Sequence, residues 1–103
     1  MNNLHDTIKS FSSLKENWDS YNAGVISQKA IDVAISILHF LPQNTMVYPM
    51  RNGGIQFEFD FDNFYSELEI NSNGEMLYIL YDTESYKMFD MVLNYEDLSK
   101  LFS

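Results

Sequence analysis

Apolar and polar residues alternate through Ile55, Phe57, Phe59 and Phe61, the period-two signature of a strand with one buried face. A two-residue turn at Asp62-Asn63 returns the chain so that Phe61 faces Phe64, Phe57 faces Leu68 and Ile55 faces Ile70. Asn73-Gly74 follows, the strongest short hairpin signal in the chain, since both residues tolerate the positive φ of a type I′ turn. It sets Ile70 opposite Leu77 and Leu68 opposite Ile79. One apolar face then spans three strands, and a slip of one residue would break it. The other face is predicted to carry Gln56, Glu58 and Asp60, then Tyr65, Glu67 and Glu69, then Met76, Tyr78, Leu80 and Asp82. Glu58 falls directly across from Glu67, a mildly destabilising like-charge pair that water, salt or a basic partner would relieve.

Before this meander the periodicity is helical. Leu4, Ile8, Phe11, Leu14 and Trp18 predict a first helix that ends near Asn17, with Asn3 as N-cap and Asp6 at the capping-box position. Ser27 caps a second helix over 28–41, closed by Pro42, whose apolar residues are spread too widely for one buried side. That helix is expected to pack against both the sheet and the first helix. Residues 46–50 read as a short edge strand because Pro49 removes a ladder donor. A last strand over 86–93 alternates Phe89, Met91 and Leu93 with Met88, Asp90 and Val92. Asn94 and Asp97 then form a second capping box, for a terminal helical turn that docks Tyr95, Leu98, Leu101 and Phe102 on the core. The order α-α-β-β-β-β-β-α predicts an α+β two-layer sandwich: N-terminal helices packed on a four- to five-stranded antiparallel meander, with a short C-terminal helix. Its 103 residues are expected to form a single domain.

Charge changes this picture. The net charge of −9 arises entirely after Arg51, so the acid belongs to the sheet half. Such a surface disfavours direct contact with nucleic acid or an anionic membrane, both of which require a basic footprint. With no cysteine there are no disulfides, no thiolate zinc site and no thiol chemistry. The longest apolar run, over 34–41, is interrupted by Ser36 and His39 and is too short to cross a bilayer. A soluble cytoplasmic protein is the expectation.

No residues are assigned to catalysis, and no metal or cofactor is expected. His5 and His39 stand apart, with neither a Gly-x-Ser-x-Gly turn nor a His-x-x-x-His pair nearby. His39 is placed as a favourable partner for a helix C-terminus. Glu58, Asp60, Glu67 and Glu69 are spaced as carboxylates on a strand face, where they stand parallel and wet instead of converging in a cleft. Asn52-Gly53-Gly54 lies between strands and reads as a turn, not a phosphate loop.

The remaining motif is the connector from Asn17 to Ser27. Trp18-Asp19-x-Tyr21-x-Ala23, then Ser27 and an Ala30-Ile31 helix, a Pro-containing edge strand and Gly53-Gly54-Ile55-Gln56-Phe57-Glu58 together resemble a widespread family of small bacterial and mobile-element proteins. The resemblance spans about Leu14 to Ile70, with Asn22 where glycine is frequent and Val25-Ile26 where prolines are. That family carries no known catalytic residues, so the resemblance implies no activity. Read from the residues, Trp18 plugs the helix junction and Asp19 bonds to loop amides; the rival reading makes Trp18 and Tyr21 exposed anchors.

The function expected from these features is non-catalytic. The acidic, aromatic face, with Glu58, Asp60, Tyr65, Glu67, Glu69, Tyr78 and Leu80 as the contact residues, would engage a basic protein. An inhibitor of a nucleic-acid-handling defence protein, carried by a phage or mobile element, fits this, as does an immunity protein against a basic toxin. The alternative is a structural subunit that homo-oligomerises through Met88 and Val92 or through the second helix. A small carboxylate enzyme is the least supported.

Overall fold

A computed structural model describes residues 3–61, 64–82, 84 and 87–101. The turn expected at Asp62-Asn63, the start of the last strand at Tyr86, and Phe102 lie outside the described residues. The protein is an α+β fold with the expected element order: helix α1 (Leu4–Ser10), helix α2 (Gln28–Ile37), strands β1 (Met46–Pro49), β2 (Ile55–Phe61), β3 (Phe64–Ile70), β4 (Met76–Asp82) and β5 (Lys87–Leu93), and helix α3 (Tyr95–Leu101). The strands form one antiparallel sheet in sequence order, which makes β1 and β5 its edges.

Both early helices stop sooner than their apolar periodicity predicts. After α1 the chain tightens into a 3-10 turn, Phe11–Ser13. Around it, the hydroxyls of Ser10, Ser12 and Ser13 donate to the carbonyls of Thr7, Lys9 and Ser10, the local competition by which serine weakens a helix. Asn3 sits at the N-cap without a side-chain cap bond, so the box with Asp6 does not form. Helix α2 likewise passes into a 3-10 turn, Leu38–Phe40, ahead of Pro42. Its cap is as expected, with Ser27 Oγ accepting from Ala30 N at 3.2 Å. The same hydroxyl donates to Ser72 O at 2.7 Å and ties the helix start to the β3–β4 loop. The C-terminal capping box is complete: Asn94 Oδ1 accepts from Asp97 N, and Asp97 Oδ2 from Asn94 N.

All three helices cover the same side of the sheet. Ile8 and Phe11, then Ala30, Ile31, Ala34 and Ile37, then Leu98, bury themselves with Ile55, Phe57, Phe59, Leu68 and Ile70. Helix α2 touches α1 on one side and β2 and β3 on the other, as its broad apolar girth requires.

The β3–β4 register departs from the sequence reading. Ile70 pairs with Met76 and Leu68 with Tyr78, one residue away from the Ile70–Leu77 and Leu68–Ile79 pairs that a two-residue Asn73-Gly74 turn would impose. The loop is one residue longer. Asn71 N donates to Glu75 O and Gly74 N to Asn71 O, both at 2.9 Å, while Asn71 Oδ1 accepts from the amides of Asn73 and Glu75. Only Gly74 has a positive φ, +85°. This is the three-residue loop in which a type I turn is followed by a left-handed glycine, and the Asn71 side chain selects it by acting as an Asx turn. Because side chains alternate faces, the slip inverts β4. Met76 and Tyr78 enter the core, at 6% and 0% exposure, and Leu80 packs half-buried against it.

Candidate functional site

The side of the sheet away from the helices is the candidate surface. Hairpin β2–β3 keeps its expected register, so Gln56, Glu58 and Asp60 pair with Glu69, Glu67 and Tyr65 across it. Of the seven residues expected to form the contact surface, Glu58, Asp60, Tyr65, Glu67 and Glu69 occupy this face together. Tyr78 and Leu80 do not, because the inverted β4 turns them inward. The Tyr78 ring stacks on Phe59 with centroids 6.1 Å apart, and its hydroxyl shares a 2.9 Å hydrogen bond with Ser66 Oγ.

The like-charge Glu58–Glu67 pair is partly relieved from within. Gln56 Nε2 donates to Glu58 Oε2 at 2.7 Å and to Glu67 Oε1 at 3.3 Å. The Tyr65 hydroxyl donates to Glu67 Oε1 at 3.4 Å. These donors hold the carboxylates in place but bring no positive charge. Burial, followed by the hydrogen bonds and charges of Glu58 and Glu67, pushes the Tyr65 phenol well above its ordinary value. Burial, then the neighbouring Glu67 charge, pushes Glu69 up as well. Among the described residues no lysine or arginine pairs with Glu58, Glu67 or Glu69; the ion pairs lie elsewhere, at His5–Asp6, Asp19–Arg51 and Glu96–Lys100.

Beside this acid the inverted β4 places Leu77 and Ile79, which the sequence reading set on the apolar inner face, together with Tyr81, all half-buried. They pair across to Val92, Asp90 and Met88 on β5, and Met88 and Val92 are 68% and 76% exposed. A shallow hollow of about 340 Å³, lined by Tyr65, Glu67, Ile79, Tyr81 and Met88, marks the border between the acidic and apolar halves. The signal that could have found these residues is Asn71, three positions before Gly74, where an Asx side chain starts a type I turn.

The Trp18 connector is a structural lock. Trp18 packs half-buried on the core and its indole N–H donates to Gly24 O at 2.9 Å. Asp19 accepts from Tyr21 N at 2.8 Å, Ala23 N at 3.2 Å and Arg51 Nε at 2.6 Å. Burial pushes the Asp19 carboxyl up, but these bonds and the Arg51 charge outweigh it and hold the group below its usual value. Asn17, Ser20 and Asn22 adopt left-handed backbone, stabilised at Asn22 by a 2.8 Å bond from its amide to Asn17 Oδ1. Tyr21 is 70% exposed beneath the Arg51 guanidinium, 5.0 Å from the ring centroid.

His39 packs its ring on Phe40, with centroids 4.0 Å apart, and His5 is exposed beside Asp6. Among the described residues no group of three or more His, Asp or Glu side chains is placed to hold a metal ion, and no helix is long and apolar enough to cross a membrane. In comparisons with known proteins the chain matches no family model, no curated protein and no solved structure.

Proposed function

We propose that this chain is a non-catalytic binding module whose uncovered sheet face engages a basic site on another protein in the cytoplasm. A phage or mobile-element inhibitor of a nucleic-acid-handling defence protein is the role that fits best, with immunity to a basic nuclease toxin as its close relative. The observation that carries this reading is the crowding of Glu58, Glu67 and Glu69, all half-buried, with Glu58 and Glu67 held by neutral donors and no cation of the chain's own paired with the three among the described residues. Carboxylates two positions apart on a strand stand about 6.8 Å from each other, close to the spacing of successive phosphates along one nucleic-acid strand, so the face suits a phosphate-binding groove. A cation supplied in trans would relieve the repulsion, and opposed fields of this kind speed encounter and select partners.

The test is affinity purification from a native host extract at low and high salt, using the wild type and Glu58→Lys/Glu67→Lys. Both substitutions lie on the outer face of the sheet, away from the core, and replace one like-charge pair by another, so the fold is expected to hold. A basic protein retained by the wild type at low salt, and lost with the double variant or with added salt, supports the reading. Equal retention by the two proteins removes this face as the site. A concentration-dependent homo-oligomer with no other partner favours self-association through the exposed Met88 and Val92 of β5.

A further inference from the structure

The face is divided, and the division constrains the shape of what can lie on it. Acid dominates the outer side of β2 and β3; the outer side of β4 is Leu77, Ile79 and Tyr81, and on the edge strand β5 the apolar Met88 and Val92 flank the exposed Asp90. Strands lie about 4.8 Å apart, so the centre of the acidic half and the centre of the apolar half are separated by about 10 Å. An α-helix with its side chains is about 10–12 Å across. A helix lying along β3 and β4 would thus set one flank on Glu58, Glu67 and Glu69 and the other on Leu77, Ile79 and Met88, with its axis over the Tyr65–Ile79–Tyr81 hollow. A seven-residue strand runs about 24 Å at 3.4 Å per residue, room for about sixteen helical residues at 1.5 Å each.

An extended segment fits less well. Every second side chain of a strand points one way, so it offers a single row to the face and meets only one of the two halves. A helix offers adjacent rows through its i, i+3 and i+4 neighbours and meets both. The apolar half also requires a partner with more than charge, since a surface meeting acid alone would leave Met88 and Val92 in water.

Building on the proposed function, we infer that the partner element is a basic amphipathic α-helix, lysine- or arginine-rich along one flank and aliphatic along the other, seated lengthwise over β3 and β4. This is the helix-in-groove mode of recognition with an added electrostatic wall.

Three synthetic sixteen-residue peptides test it: a Lys/Leu helix with its leucines on one flank, the same composition scrambled, and a helix of equal charge with glutamine for leucine. Calorimetry in physiological salt measures affinity, and amide chemical shifts of the ¹⁵N-labelled protein locate the contact. The amphipathic helix is expected to bind at least ~10-fold more tightly than either control. Its shifts should centre on residues 58, 67, 69, 77, 79 and 88, and both Ile79→Ser and Glu67→Lys should weaken it several-fold. Equal binding of the glutamine peptide on the same residues overturns the helix inference and leaves a basic partner standing. Shifts on the helical side of the protein, or affinity indifferent to Glu67→Lys, overturn both. Self-association that already occupies these residues without peptide overturns it in favour of a second copy of the chain.

Discussion

The inverted strand β4 has a measurable energetic signature in the Ser66–Tyr78 hydrogen bond. Both residues are 0% exposed and their hydroxyls are 2.9 Å apart. Tyr78→Phe leaves the Ser66 hydroxyl buried without that partner, a loss of about 1–3 kcal/mol. Ser66→Ala withdraws the same bond from the other end. The double variant removes both hydroxyls and should be little worse than either single change, giving a coupling energy of about 1–2 kcal/mol in a double-mutant cycle. For a domain of about 100 residues each kcal/mol is worth roughly 4–8 °C in Tm, so urea titration and thermal melts both resolve the effect. Tyr81→Phe supplies the contrast. Tyr81 lies on the outer face, and its variant should stay within about 0.5 kcal/mol of wild type. Had Asn73-Gly74 formed a two-residue turn, Tyr78 would face water and Tyr81 the core. A Tyr78→Phe variant as stable as wild type, together with a costly Tyr81→Phe, would refute the register.

Three further outcomes follow from the same geometry. Trp18→Ala should lower stability by about 2–3 kcal/mol, less than the 3–5 of a fully buried ring, while Trp18→Phe should lose only about 1 kcal/mol for the bond to Gly24; equilibrium unfolding distinguishes a packing residue from an exposed anchor. Asp19 is held below its ordinary value, so its stabilisation is complete above the unfolded carboxylate pKa and is lost as pH falls through the lower folded value. Asp19→Asn should therefore melt earlier at neutral pH, with the gap closing only below about pH 3.9. Glu69 has the opposite sign, because burial and Glu67 raise its folded value and ionisation becomes a penalty as pH rises through that range. Glu69→Gln should gain a few tenths of a kcal/mol at pH 7 and lose the advantage below about pH 4.3, read from melts across the pH series.

Much of this protein was determined within short stretches of chain. The alternation from Ile55 to Phe61 has one period and one buried phase, so the first hairpin and its Glu58–Glu67 opposition could be read directly. Ser27 and the Asn94–Asp97 box cap their helices with bonds that span only three residues, and Asp19 reaches loop amides two and four positions away. Where two local solutions compete, tertiary structure decides. Residues 76–82 are apolar on both parities, Met76, Tyr78 and Leu80 against Leu77, Ile79 and Tyr81, so hydrophobic pattern cannot choose the inward face. The choice falls to one extra residue in the loop, fixed by Asn71 and by the Ser27–Ser72 bond across 45 residues of sequence. From that choice comes the apolar half of the outer face, which exists only because Tyr78 finds both Phe59 and Ser66 inside the fold.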